Sequence, residues 1–139
     1  MSVTMTRYTH SHKILTNQGD WNSNTIKLAL VLNTYTFDES HTQWSDVSTH
    51  EVTSGSGYTT GGATMTCSST NTMLDADDFT FTNLTKTFRS AVMYIEGTVE
   101  SITNPLLSYI LFDDTPEDIV VSGSDFVITW DDLGVFTLQ

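Results

Sequence analysis

The sequence predicts an all-β protein built as a single antiparallel β-sandwich, immunoglobulin-like or jelly-roll-like, with a short N-terminal helical turn. Threonine and serine make up 40 of the 139 residues, and such side chains suit exposed strand faces better than helix interiors. Short apolar or alternating segments are separated by turn residues about every ten positions, which is the pattern of a sandwich of seven or eight short strands.

The longest apolar runs predict two adjacent central strands, at 87–97 and 105–112, joined by the loop 96–104. Both are rich in the β-branched and aromatic residues that fit a buried, pleated surface. The segment 25–32 predicts a third apolar strand, with Lys27 pointing outward. Its alternate residues share one face, because successive side chains of a strand point to opposite sides; these are Ile26, Leu28, Leu30 and Leu32.

Alternating segments predict the remaining strands at 63–70, 72–83, 119–123, 125–132 and 135–138. A hairpin is expected near residues 69–71. Within these strands, side chains two positions apart are expected to face the core together. They are Phe79 with Phe81, and Phe126 with Ile128 and Trp130.

The N-terminal segment differs in charge from the rest of the chain, and we divide the sequence into an arm with a short helix (1–18) and a sandwich domain (19–139). Residues 1–17 contain Arg7 and Lys13 and no acid, whereas residues 18–139 contain all 17 acids and three bases. Ser11 is a suitable N-cap for a helical turn. We expect the arm to reach a neighbouring subunit or partner through Arg7, Tyr8 and Lys13. The alternative is an edge strand on its own sheet, or a frayed terminus.

The net charge of −12 limits the classes of partner. An acidic surface repels phosphate backbones and anionic lipids, so we expect no nucleic-acid partner and no membrane partner, but a protein partner. No apolar run approaches the roughly 20 residues of a membrane span, and the N-terminus lacks a signal-peptide core. The single cysteine, Cys67, excludes an internal disulfide.

A long polar connection at 33–62 is a candidate binding or assembly loop, since such loops are unusual inside a compact domain. Trp44, Val47, Val52 and Tyr58 are expected to attach it to the sandwich. Trp44 and Tyr58 are also candidate aromatic anchors for a partner.

Two groups of residues could bind a metal, although a plainer interpretation exists for each. Asp75, Asp77 and Asp78 match part of a calcium loop, but the glycine and distal glutamate are missing, and a solvated turn at the entry of a strand is the preferred interpretation. His10 and His12 have the alternate spacing that places two imidazoles on one side of a strand. Two exposed histidines are the alternative. We expect no cofactor.

The sequence gives little indication of an enzymatic or a carbohydrate-binding function. A Cys67 nucleophile with His41 or His50 as base would require that they meet in space, and no local motif supports it. Aromatic side chains could stack on sugars in a carbohydrate-binding sandwich; the tryptophans are Trp21, Trp44 and Trp130.

Four blocks, taken as a set, resemble a family of short virion proteins from tailed bacteriophages. They are GDWNSNTIKLALVLNTYT (19–36), WSDVSTHEV with GYTTGGATMT (44–66), LDADDFTF with TFRSAVMYIEG (74–97) and SGSDFVITWDDLGVFTL (122–138). The chain departs from the family pattern at Asn24 and at ILFDD (110–114), where a glycine-bearing turn is expected.

The resemblance implies a capsid decoration, or cement, protein without enzymatic activity, located on the exterior of the virion and made in the bacterial cytoplasm. Its implied partner is the major capsid protein. Closed symmetric oligomers are usual in such assemblies, and a homotrimer is preferred. The family has no catalytic motif to transfer. The alternative is a tail or head-fibre module that recognises a host receptor or glycan through the 33–62 loop.

Overall fold

A computed structural model describes residues 3–9, 11, 25–70, 73–99, 101–113, 115, 117–130 and 136–137. These residues form an antiparallel all-β fold, which confirms the predicted class. Their strands are β1 (Thr4–Arg7), β2 (Thr25–Val31), β3 (Ala63–Met65), β4 (Cys67–Thr70), β5 (Met73–Ala76), β6 (Phe79–Phe88), β7 (Ser90–Glu96), β8 (Thr98–Val99), β9 (Ile102–Thr103), β10 (Leu106–Leu111), β11 (Ile119–Ile128) and β12 (Phe136–Thr137). Two short 3-10 helices span Trp44–Asp46 and Ser48–His50.

The main sheet has five strands in the order β1-β10-β7-β2-β3. The two predicted central strands correspond to β7 and β10, which pair with each other as expected. β2 pairs with the other side of β7 over its whole length, from Thr25 opposite Glu96 to Val31 opposite Ser90. β7 is buried from Ser90 to Ile95, because both faces of the sheet are covered.

The predicted strand at 87–97 is two strands, and this prediction is corrected. β6 ends at Phe88 and β7 begins at Ser90, so the chain passes from one sheet to another at Arg89. The Arg89 backbone N–H donates to the Val31 carbonyl, and its Nε lies 2.9 Å from Asp118 Oδ1. The ion pair holds the turn against the start of β11, which pairs with β6 in a separate two-stranded sheet.

The main hydrophobic core lies between the five-stranded sheet and the β6–β11 ribbon. Burying each large apolar side chain contributes roughly 1.5–3 kcal/mol. As predicted, Phe79 and Phe81 pack into this core, as do Phe126, Ile128 and Trp130. Its fully buried members include Ile26, Leu28, Leu30, Leu84, Phe88, Met93, Ile95 and Leu107.

A second, aromatic core covers the opposite face of the main sheet. The 33–62 segment folds back over that face, and its Val47 and Tyr35 are buried against Val92 and Tyr94 of β7. The expectation that Trp44, Val47, Val52 and Tyr58 attach this loop is confirmed, since each packs against one of the two cores. The loop is therefore a fixed layer of the fold.

Part of the N-terminal segment belongs to the main sheet. Residues 4–7 form the edge strand β1, with Thr4 opposite Leu111 and Arg7 opposite Ser108. All four β1 side chains are exposed, but Tyr8 is only 1% exposed. The alternative of an edge strand is therefore correct for residues 4–7. The N-terminal segment also buries one large side chain in the core of its own chain. The predicted helical turn lies almost entirely outside the described residues, which include only Ser11 of it.

Several other strand boundaries differ from the predictions. The segments 63–70 and 72–83 each contain two strands, because the chain turns at Thr66 and again at Asp77, whose N–H donates to the Thr66 carbonyl. β4 and β5 form the expected hairpin, and β12 joins β5 in the same sheet. The strands predicted at 119–123 and 125–132 correspond to a single strand, β11, which has register shifts between Ser122 and Phe126. The 96–104 loop contains the small β8–β9 hairpin.

The glycines of the 54–62 segment are turn residues. Gly62 has a φ of 92°, and a Cβ there would lie 2.3 Å from the Leu28 carbonyl oxygen. Only glycine allows the loop to approach β2 this closely. Among the residues described, none forms a helix of the length and hydropathy needed to cross a membrane.

Candidate partner-binding surfaces

The structure separates the proposed nucleophile from its proposed bases. Cys67 lies in β4 and packs against the main core, whereas His41 and His50 flank Tyr35 in the aromatic core on the opposite face of the main sheet. Burial, then Asp77 and Asp75, raise the pKa of the Cys67 thiol to about 12. A thiol with so high a pKa is a poor nucleophile at neutral pH.

The acidic cluster of the 75–78 segment is used in local hydrogen bonding. Asp75 Oδ1 accepts the backbone N–H of Ala76 at 2.9 Å, and Asp78 Oδ1 accepts the backbone N–H of Trp130 at 3.0 Å. Within the part of the chain that the structure describes, no three His, Cys, Asp or Glu side chains converge as metal ligands would. The predicted pair His10 and His12 lies outside the described residues.

A buried chain of hydrogen bonds joins the N-terminal segment to the 33–62 loop. The hydroxyls of Tyr8 and Tyr35 are 2.8 Å apart, and the Tyr35 hydroxyl is 2.9 Å from His41 Nδ1. Burial raises the pKa of both tyrosines. They therefore remain protonated and act as structural hydrogen-bonding groups. Next to them, hydrogen bonds from Ser40 lower the pKa of Asp38.

A second network holds the other half of the loop. Glu51 Oε2 accepts the Tyr58 hydroxyl at 2.6 Å and the Gly61 N–H at 2.7 Å. The Tyr58 oxygen also accepts the Leu30 N–H, and the Tyr94 hydroxyl donates to the Gly61 carbonyl. Hydrogen bonds to a carboxylate are stronger than neutral ones, so the loop is held tightly against β2 and β7.

The four predicted partner-binding residues that the structure describes do not form one surface. Arg7 is exposed on β1. Tyr8 and Tyr58 are 1% and 4% exposed, so both belong to the cores and are unavailable to a partner in this fold. Trp44 is half-buried and stacks on Tyr94, with ring centroids 4.6 Å apart. Lys13 and Trp21 lie outside the described residues.

The outer face of the β6–β11 ribbon is a surface that sequence reasoning missed. We define the threonine face by exposed side chains that point away from the main core; these are Thr80, Thr82, Thr85, Thr87, Val120, Ser122 and Val127. The cross-strand pairs Thr87–Val120 and Thr80–Val127 place the two strands' side chains side by side. In the sequence, the alternation of phenylalanine and threonine in FTFT (79–82) indicates such a face.

The threonine face has little charge in a protein with a net charge of −12. Asp125 lies beside it at the irregularity of β11, where its carboxylate accepts the Asn83 N–H at 2.9 Å. A groove of about 410 Å³ borders the face, between Val52 and Thr53 on one side and the β6–β11 strands on the other. Lys86 lies in this groove and donates to the Thr53 hydroxyl.

Comparisons with known proteins identify no family and no relative. No protein-family model matches this sequence, and neither a curated protein nor a solved structure matches it.

Proposed function

We propose that this protein is a non-enzymatic structural protein of a bacteriophage virion, a decoration protein that binds the outer surface of the major capsid protein shell and stabilises the head. The proposal joins the resemblance of the four sequence blocks to one structural observation, the threonine face. No cofactor takes part, and the binding is non-covalent.

The threonine face suits a broad protein contact. Threonine and valine side chains on paired strands present a stiff surface, since β-branched residues have restricted rotamers. Burying a hydroxyl costs about 1–3 kcal/mol if its hydrogen bonds are not replaced, whereas a buried charge costs several kcal/mol even after relaxation. A surface of hydroxyls and methyl groups can therefore be buried against a partner without a matching set of countercharges.

The distribution of charge supports an exterior position. Seventeen acids against five bases would repel packaged DNA. A protein on the outside of the shell does not meet that DNA. The acidic groups, outside the threonine face, would also oppose non-specific association.

The geometry gives less support to receptor or glycan recognition through the 33–62 loop. Tyr58 is buried, and Trp44 already stacks on Tyr94. Sugar-binding sites usually offer exposed aromatic faces. We therefore do not advance this second function.

The test is binding to heads that lack the protein. Purified protein is incubated with such heads, bound copies are measured by co-sedimentation, and the particles are imaged. We expect binding at regular lattice positions. The variant Thr82→Glu with Thr85→Glu places two charges in the contact and should raise the Kd for the heads at least about tenfold, equivalent to 1.4 kcal/mol.

The matched control is Thr60→Glu with Thr98→Glu, which adds the same charge at exposed threonines elsewhere. This control should bind as the wild type does. Binding at no regular lattice position would refute the proposed function. Equal loss in both double variants would show that general charge, and not the threonine face, determines binding.

A further inference from the structure

The exposed large apolar side chains of the described residues occur at two places only. Val3, just before β1, and Met5, within it, are 59% and 39% exposed. Val120 and Val127 are 72% and 56% exposed, and both lie in β11. Both strands are at the edges of their sheets in the described structure.

β1 has the properties of a strand that can accept another strand. It pairs with β10 on one side, and no described strand covers its other side. Its side chains are exposed on both faces, and neither a proline, a lysine nor a bulge interrupts it. Such features normally block the edges of native sheets. A strand added here would cover Val3 and Met5.

β11 also offers an edge, with the opposite charge, but register shifts between Ser122 and Phe126 leave it regular only at its two ends. It pairs with β6 on one side, and its other edge has no strand among the residues described. Residues 113–125, which lead into it and through most of it, contain five acids and no base. The segment 1–17 contains two bases and no acid.

The charges distinguish between the possible pairings. Two β11 edges would bring their acidic segments together, and two β1 edges would join like-charged arms; like charges oppose both contacts. A β1 edge against the Phe126–Ile128 end of β11, beyond its register shifts, joins opposite charges and brings Val3 and Met5 beside Val127. We propose that β1 of one copy adds as a strand to the free edge of β11 in a second copy of this chain.

The proposed contact is head-to-tail, since each copy offers β1 to one neighbour and β11 to another. Repetition of such a contact produces a closed ring when the rotation closes. The inference goes beyond the proposed capsid binding and does not depend on it, because it concerns association of the protein by itself in solution.

The experiment measures molar mass by light scattering and analytical ultracentrifugation on purified full-length protein. The wild type should form a discrete oligomer. Met5→Asp disables the β1 edge and Val127→Asp disables the β11 edge, and each variant alone should be a monomer. Thr60→Asp is the control for added charge and should assemble as the wild type does. Circular dichroism melting confirms that each variant is folded.

Mixing the two variants gives the decisive result. The Val127→Asp chain retains a working β1, and the Met5→Asp chain retains a working β11, so an equimolar mixture should form a one-to-one dimer that neither variant forms alone. A mixture that stays monomeric would overturn the β1–β11 pairing, and dimers formed by either variant alone would indicate contacts between identical edges instead. A monomeric wild type, or two variants that assemble normally, would overturn it entirely.

Cysteine cross-linking provides a second measurement that does not require the aspartate variants to fold. In a Cys67→Ser background, chains with Met5→Cys are mixed with chains with Val127→Cys under mild oxidation. The proposal expects disulfides between the two kinds of chain in large excess over those between identical chains. A predominance of disulfides between identical chains would contradict it.

Discussion

The indole of Trp130 packs against the main core, but its Nε1 has no hydrogen-bond partner among the described residues. An unsatisfied buried N–H costs about 1–3 kcal/mol. The side chain therefore combines a large favourable apolar contact with an unfavourable polar one. Its two contributions can be separated by substitution.

We predict that Trp130→Ala lowers the free energy of unfolding by about 3–5 kcal/mol, the range for removing a large aromatic from a core. Trp130→Phe should cost much less, because it also removes the unpaired N–H. Trp44→Ala should cost less than Trp130→Ala, because Trp44 packs against the smaller aromatic core and loses mainly its stacking on Tyr94. Urea denaturation of the three variants measures these differences. Equal midpoints for Trp130→Ala and Trp44→Ala would show that the core assignment of Trp130 is wrong.

Cys67 is predicted to be chemically inert while the protein is folded. With its pKa raised to about 12, only about one thiol in 10⁴ is ionised at pH 8, and the thiolate is the reactive form. Alkylation by iodoacetamide should therefore be slow at pH 8 and become fast in urea, where the ordinary thiol pKa returns. Mass spectrometry over time gives both rates. Rapid alkylation of the folded protein would contradict the burial of this thiol.

At the scale of elements, the N-terminal segment has two parts that contribute unequally to stability. The β1 side chains are exposed, so this strand is held mainly by its backbone bonds to β10. Tyr8 is buried, contacts Phe37 with ring centroids 5.1 Å apart, and is hydrogen-bonded to Tyr35. Tyr8, the residue after β1, is therefore the residue that anchors the N-terminal segment.

Two truncations test this division. A chain starting at Arg7 keeps Tyr8 and should lose little stability, whereas a chain starting at Ser11 loses Tyr8 and should be destabilised by about 3–5 kcal/mol, as for loss of a core aromatic. Thermal and urea unfolding of the two proteins provide the comparison. If both truncations had the same small effect, Tyr8 would not be the anchor.

The same elements show what the sequence can predict. The long apolar runs predict the positions of β2, β7 and β10 correctly, because such runs indicate strands that are buried in the core. The break at Arg89 was missed, because the residues on both sides of it are equally suited to strands and only the tertiary structure directs them to different sheets. Tyr8 and Tyr58 were expected to contact a partner, since an aromatic ring with a hydroxyl suits both an interface and a core with a hydrogen-bond partner. Tyr35, 27 residues from Tyr8, and Glu51, seven residues from Tyr58, supply those partners, and only the fold brings each pair together.

At the scale of the whole molecule, the net charge of −12 is the main electrostatic feature. The described ion pairs that involve Lys or Arg are Lys27–Glu96 at 3.7 Å and Arg89–Asp118 at 2.9 Å. Partly exposed pairs of this kind contribute at most about 1 kcal/mol each. Repulsion among the remaining acids therefore outweighs them.

We predict that added salt stabilises the protein. The screening length falls from about 30 Å at 0.01 M salt to about 10 Å at 0.1 M, which weakens the long-range repulsion more than the short ion pairs. The midpoint temperature should rise by a few degrees over this range of sodium chloride in a differential scanning experiment at pH 7. A fall in the midpoint temperature would mean that attractive pairs dominate.

The register of the main sheet also determines when the fold can form. Thr4 of β1 pairs with Leu111, and Thr25 of β2 pairs with Glu96. A ribosome adds about 5–20 residues per second, so β2 waits roughly 4–14 s for β7 to be synthesised. During that time TIKLALV, which is largely buried in the finished protein, can pair only with the three-residue β3, opposite Ile26 to Leu28, and unpaired apolar strands are prone to aggregate. Lys27 is the only charge within it to oppose aggregation. The period of greatest vulnerability for this protein therefore comes during translation, before its central strand exists.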